Sequence, residues 1–246
     1  MSNPFPKLST VGLSGLAVSF ADSLSEAGNR AALAFRSAVE AQNWRGVEEC
    51  STSLCSTFVR FDPLSAEAVE LPRLLGDLMR SQNWFDAPLP TGRRHFRIPC
   101  VFGGVHGPQF DDAATAAGYS AAQALESLTA ARPRVLILGF APGQPYSGQL
   151  GPEWDIPRLS ELTRAVPQGA LVVAIRQLIV FSKTTPTGWR HIGQTAFQCF
   201  QPEAENPFAL RPGDALSFRS ITPEELENIR KDPKSGNGGA VVEALT

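Results

Sequence analysis

The sequence predicts an α+β protein in two parts: a small N-terminal α/β two-layer domain over residues 1–87 and a β-barrel domain over 93–230, with a flexible tail over 231–246. Three observations carry this. Strand-like and helix-like runs follow the order β-α-β-β-α up to Asn83, the pattern of a two-layer unit. The stretch Asp86-Ala87-Pro88-Leu89-Pro90-Thr91-Gly92 then reads as a linker, because two prolines and a glycine oppose regular structure. From Gly139 to Phe218, short apolar runs are punctuated by Gly and Pro, as in a barrel with functional loops.

In the first part, Val11 to Phe20 nearly alternates and reads as one strand with a slip. Ser23 and Glu26 have capping-box spacing ahead of a helix whose apolar face is Ala31, Ala32, Leu33, Phe35, Val39 and Trp44. Val47–Thr52 and Cys55–Phe61 read as paired strands ended by Asp62-Pro63, since proline cannot extend a ladder. A second helix from near Ser65 to Asn83 contains Pro72, which favours an early break.

In the second part, Arg94–Phe102 reads as a strand ended by Gly103-Gly104. Two short helices follow, Pro108–Ala117 and Ser120–Thr129, with Ser120 a natural N-cap for the second. Arg134–Leu138 is a buried strand, and everything after it reads as β: 169–181, 190–200 and 215–221.

With 43% hydrophobic residues in 246, the chain can build a sizeable core. A net charge of -2 provides no basic field, which excludes nucleic acid and an anionic membrane as main partners. Cys50, Cys55, Cys100 and Cys199 lack metal-site spacing and read as reduced, mostly buried thiols. The start shows no leader pattern, and no apolar run approaches the roughly 18 residues of a membrane span, so the expected location is cytoplasmic.

Candidate chemistry lies in the second part. Gly139-Phe140-Ala141-Pro142-Gly143 follows a strand directly and forms either a turn that brings backbone N–H groups to a ligand or a tight barrel corner; Tyr146 is placed to report which. Arg158, on a loop after Trp154-Asp155, suits carboxylate recognition, and equally a surface ion pair with Asp155 or Glu161. Arg176 and Gln177 interrupt an apolar strand and need either internal hydrogen bonds or a polar cavity. Trp189 is delivered by a turn, and Arg190-His191 and Gln194 follow it. His191 titrates in the range of proton transfer, although a lone histidine also serves as a structural hydrogen-bonder. No nucleophile elbow, Walker loop or dinucleotide fingerprint is present.

Taken in order, these motifs resemble the family of the 5-oxoprolinase B subunit, allophanate-hydrolase subunit 1 and the histidine-kinase inhibitor KipI, which carries the carboxyltransferase domain, subdomains C and D. The counterparts of its signature are Gly139 to Tyr146, Pro157-Arg158, Val166-Pro167-Gln168-Gly169-Ala170, Gln177, Thr185 to Trp189, Ile192-Gly193-Gln194-Thr195 and Pro212 to Phe218. Upstream, Gly107-Pro108-Gln109-Phe110-Asp111-Asp112 and Gly118-Tyr119-Ser120 fit as well.

The resemblance implies a cyclophilin-like barrel and a related cyclophilin-like partner, of the type of KipA or the 5-oxoprolinase C subunit. It also implies a small amide or lactam substrate, hydrolysed with ATP that binds here or on the partner. Arg158 and His191 would then be catalytic, with Gly139, Phe140, Pro142, Gly143, Tyr146, Arg176, Gln177, Trp189 and Gln194 around the substrate. Alternatives in the family are the carboxyltransferase half of a urea carboxylase, which uses a biotin carrier, and a KipI-like inhibitor that catalyses nothing. Residues 240–246 are similar to the opening strand of the cyclophilin-like partner. The chain departs from the signature in having Gln144 where the family has phenylalanine after Pro-Gly, Leu162-Thr163 for a second Pro-Arg, and Gln194 for an arginine.

Overall fold

A computed structural model describes residues 5–232 and 234–245. Met1–Pro4, part of the start read as leaderless, and Pro233 and Thr246 of the tail lie outside the described residues. The chain divides into two compact units, Met1–Thr91 and Gly92–Thr246.

In the first unit, β1 (Lys7–Val11), β2 (Gly15–Ser19), β3 (Val47–Ser53) and β4 (Ser56–Phe61) form an antiparallel sheet in the order β1-β2-β4-β3. The single strand expected over 11–20 is thus a hairpin and the order is β-β-α-β-β-α. The slip in alternation is the turn itself, where Gly12 takes φ 62° and Leu13 projects into solvent.

Helix α1 (Glu26–Gln42) packs on the sheet. Its N-cap is Ser25 rather than Ser23, the Ser25 hydroxyl accepting from the Gly28 N–H at 3.1 Å. It ends where Asn43 turns left-handed at φ 50°. Helix α2 (Leu71–Arg80) begins next to Pro72, so the proline opens the helix instead of breaking one. Phe20, Phe35 and Trp84 meet in the core at centroid distances of 5.5 and 4.9 Å.

The second unit is built on β5 (Arg94–Phe102), which matches the expected strand, followed by α3 (Phe110–Ala116) and α4 (Ala121–Ala130). Ser120 caps α4 reciprocally with Gln123, whose side chain returns to the Ser120 N–H. Next come β6 (Arg134–Leu138), β7 (Pro145–Gly148), β8 (Thr163–Val166), β9 (Ala170–Ala174), β10 (Gln177–Val180), β11 (Thr185–Thr187), β12 (Arg190–Gln194) and β13 (Ala215–Ser220).

Seven strands close into a barrel in the order β12-β9-β10-β7-β6-β13-β5, and β12 returns to β5 through Gly193–Phe102 and Gln194–Val101. This is the cyclophilin-like barrel that the resemblance implied. Asp214, fully buried, ties its ends together: it accepts from the Arg94 and Arg211 backbone N–H groups and pairs with the Arg94 guanidinium at 2.6 Å.

Three expectations change here. The run 169–181 is not one strand: Ile175 and Arg176, at φ 43° and 60°, form a two-residue turn between β9 and β10. The region after β6 is also not all β, because α5 (Pro223–Lys231) follows β13, with Thr222 and Glu225 as its capping box. In place of a wholly flexible tail, β14 (Val241–Ala244) pairs antiparallel with β5, Val241 opposite Arg97. Among the described residues no helix is long and apolar enough to cross a membrane.

β9 and β10 are buried on both faces, and strand alternation sorts their residues into two cores. Leu171, Val173, Leu178 and Val180 join the barrel interior with Ile98, Val135 and Phe218. Ala170, Val172, Ala174, Ile179 and Phe181 join a second cluster with Val166 and Trp189, where β8 and β11 form a two-stranded ribbon. The candidate site adjoins this second cluster.

Candidate ligand-binding site

A cavity of about 260 Å³ is lined by the β6–β7 turn, the outward residues of β7 and β10, the loop before β8, and β11 with the turn after it. Phe140 and Gln144 come from the turn, Tyr146 from β7, Arg158, Leu159 and Leu162 from the loop, and Thr185, Thr187 and Trp189 from the ribbon side.

The β6–β7 turn is held by its own backbone. The Gly139 N–H donates to the Gln144 carbonyl and the Gln144 N–H to the Ala141 carbonyl, each at 3.1 Å. A β-carbon on Gly143, at φ 69°, would come within 2.5 Å of the Cys199 carbonyl oxygen, so only glycine fits. Pro142 is exposed beside it. Phe140 adopts φ 68° and is 72% exposed, a left-handed conformation unfavourable for a bulky residue that leaves the ring at the cavity rim.

Arg158 holds its guanidinium 5.3 Å from the centre of the Trp189 ring. Among the described residues it makes no ion pair with Asp155 or Glu161, which removes the surface-pair alternative. It is the one charged side chain among the lining residues. Trp189 is 5% exposed and packs edge-on against Tyr146 at 6.0 Å, and its backbone N–H donates to the Thr187 hydroxyl at 3.1 Å.

The loop carrying Arg158 is fastened twice. The Leu159 N–H donates to the Gly188 carbonyl at 2.6 Å, and the buried Arg190 reaches from β12 to the Pro157 carbonyl at 2.6 Å while pairing with Asp112 at 2.5 Å. Arg190 is a positioning residue to which sequence reasoning gave no role.

Phe140, Tyr146, Arg158 and Trp189 therefore meet in one cavity, whereas Gly139, Pro142 and Gly143 belong to the turn that carries Phe140 and Gln144 and do not line it themselves. The other named residues lie elsewhere. Arg176 sits in the β9–β10 turn and donates from Nε to the Leu150 carbonyl at 2.9 Å. Gln177 stands at the start of β10, opposite Gly148 and Ala174. Gln194 gives Nε2 to the Gln168 and Thr195 carbonyls.

His191 is 5% exposed, shares a hydrogen bond between Nε2 and the Gly193 carbonyl at 3.1 Å, and does not line the cavity. Burial pushes its pKa down, against the opposing pull of that carbonyl. Burial also pushes the Cys199 thiol, behind the Gly143 turn, up to about 12, which keeps it unreactive.

Gln144, Thr185 and Thr187 complete the lining and were not singled out from sequence. Gln144 had a signal, since it replaces an apolar residue of the resembled motif. The threonines fall in the Thr185–Trp189 counterpart of the family signature, but nothing marked them as lining residues, because β11 is three residues long and its partner β8 lies about twenty residues upstream across a loop.

The carboxyltransferase domain, subdomain C and D, family model matches residues 6–210. The chain is 36% identical to the 5-oxoprolinase B subunit of Escherichia coli O157:H7 over 146 residues, covering 58% of this chain and 67% of that protein. It is 25% identical to the 5-oxoprolinase B subunit of Bacillus subtilis (strain 168) over 240 residues, 92% and 97% of the two. The K. lactis urea amidolyase structure superposes with a TM-score of 0.73 at 18% identity, over all of this chain and 17% of that much longer one, a likeness of fold. By the extent of the family match and the near-complete overlap with such relatives, the chain belongs to the carboxyltransferase domain, subdomain C and D, family.

Proposed function

We propose that this chain is one component of an ATP-dependent lactam hydrolase of the 5-oxoprolinase type, binding a small carboxylated amide in the cavity beside Trp189. The observation that carries the reading is Arg158, without an ion-pair partner among the described residues and held over an aromatic ring at the wall of a small, otherwise uncharged cavity. A guanidinium in that setting recognises a carboxylate, and flat aromatic surfaces suit a compact planar ring. The relatives named as the 5-oxoprolinase B subunit support it.

The cavity does not fit a nucleotide: one guanidinium and about 260 Å³ match neither the charge nor the bulk of ATP. In this reading ATP binds outside this cavity, and the partner is of the cyclophilin-like type of KipA or the 5-oxoprolinase C subunit. Arg158 orients the substrate carboxylate, Tyr146 and Trp189 fix the ring plane, and orientation is this chain's contribution to the rate. His191, buried and hydrogen-bonded away from the cavity, supports the ring of contacts around β12 rather than proton transfer.

The test is ADP release by the assembled subunits with and without 5-oxoproline, omitting this chain as the control. Release that depends on both the lactam and this chain is expected. Full lactam-dependent release without the chain contradicts the proposal. The urea-carboxylase reading is favoured by the fold likeness to urea amidolyase, and urea-dependent turnover requiring a biotinylated carrier would select it.

A further inference from the structure

A second cavity, of about 680 Å³, opens on the outer face of the barrel where β13, β5 and β14 run side by side. Strand alternation selects its lining: Phe96, Ile98 and Leu216 point into the barrel core, so His95, Arg97, Ser217 and Arg219 point out. The register sets Ser217 on one side of Arg97 and Val241 on the other. Arg132, just past the end of α4, adds a third guanidinium from the rim. Among the described residues no acidic side chain lines the cavity.

These cations are incompletely answered. Arg97 pairs with Glu243 of β14, whose carboxylate also stands 3.9 Å from His95 Nδ1. Arg219 has Glu225 at 3.9 Å, and that carboxylate is engaged in capping α5, accepting from the Thr222 N–H at 2.8 Å. Arg132 makes no ion pair among the described residues. At the floor His95, 4% exposed, shares a hydrogen bond between Nε2 and the Ser217 hydroxyl at 2.9 Å. Like charges gathered around a concavity repel one another and focus a positive field, which an anion relieves. The carbonyl end of α4 at the same rim opposes an anion with roughly half an elementary charge, less than the guanidinium groups supply.

We propose that this cavity binds the phosphate groups of a nucleotide, held by Arg97, Arg132 and Arg219 above the His95–Ser217 floor. Its volume falls in the range of about 300–1,000 Å³ usual for small-molecule sites, and three guanidinium groups offer the forked donors that successive phosphates take. Glu243 is the chain's own anion on this cluster and competes with the ligand for Arg97. The choice of a nucleotide rests on the ATP-dependent reading above, whereas the affinity for linked phosphates rests on the arginines.

The experiment titrates ATP, tripolyphosphate and inorganic phosphate calorimetrically into the full chain without other subunits. ATP and tripolyphosphate should bind at least about tenfold more tightly than inorganic phosphate, which can engage fewer of the arginines. Arg132→Ala and Arg219→Ala should each weaken both about tenfold, the scale of one charge-assisted contact. Glu243→Gln should instead tighten them, because it removes the competing carboxylate. Arg80→Ala, at an exposed arginine of α2, should change nothing.

ATP that fails to bind wild type overturns the proposal without need of any variant. So does ATP that binds while tripolyphosphate does not, since recognition then lies in the base and sugar. Equal affinity for inorganic phosphate, or an Arg80→Ala loss as large as that of Arg132→Ala, also overturns it, in favour of single anions or diffuse surface charge. Every arm omits 5-oxoproline, so failure here leaves the Arg158 reading to the ADP-release assay.

Discussion

His191 shows how a residue's surroundings decide between two chemistries that its type alone permits. Its ring is enclosed, its Nε2 is committed to the Gly193 carbonyl, and its backbone N–H donates to the Gln109 side chain at 2.7 Å. Enclosure disfavours the imidazolium, so the folded pKa lies below the ordinary 6.5. The unfolded chain then binds the extra proton more readily than the folded one, and stability rises with pH across that interval. The contribution is complete above about pH 6.5 and is lost as pH falls through the depressed folded value. His95, pushed down by burial and by Arg132, acts in the same direction. Thermal unfolding should accordingly show a lower Tm at pH 5 than at pH 7.5, with a smaller drop for His191→Gln. An identical drop in the variant would show that His191 does not contribute.

At the scale of elements, β9 and β10 illustrate what the sequence makes legible and what it hides. Their strand character was plain from the apolar run, but the break between them was not, because Ile175-Arg176 lacks the Asn-Gly chemistry of a tight hairpin. Tertiary structure holds the turn instead: the Ile175 and Arg176 N–H groups donate to the Ile156 and Trp154 carbonyls, each at 2.8 Å. A β-branched residue in the left-handed region costs about 1–2 kcal/mol relative to one that tolerates it. Ile175→Asn should therefore raise stability by about 1 kcal/mol in denaturant unfolding, because the side chain is 40% exposed and the turn backbone stays as it is. A loss of similar size would show that the isoleucine's packing outweighs its strain.

Other elements were readable for local reasons. β5, β6 and α4 match their expected spans because apolar pattern, bounding glycines and the Ser120 cap agree. α5 was missed although Thr222-Pro223-Glu224-Glu225 is a strong helix start, since a barrel reading made every later run look like a strand. The cavity was half legible: Phe140, Tyr146, Arg158 and Trp189 lie in recognisable turns. Thr185 and Thr187 enter it only through the long-range pairing of β8 with β11, and Gln144 only through the way its turn closes.

At the scale of the whole molecule, the division at Thr91–Gly92 gives each unit its own core, with Phe20, Phe35 and Trp84 in one and Ile98, Leu128, Trp154 and Phe218 in the other. A fragment of residues 92–246 should fold alone, giving dispersed amide resonances and one cooperative transition. A collapsed fragment without dispersion would mean that the barrel needs the first unit. The same fragment ending at Gly239 removes β14 and opens the edge of β5 at Arg94–Arg97, which should lower its Tm.

If the cavity beside Trp189 holds the carboxylate of a lactam through Arg158, steady-state kinetics of the assembled enzyme carrying Arg158→Ala will report the loss. Removing the contact that both binds and orients the substrate should raise the KM for 5-oxoproline at least about tenfold and lower kcat as well. A KM that does not move would place the lactam somewhere other than this cavity.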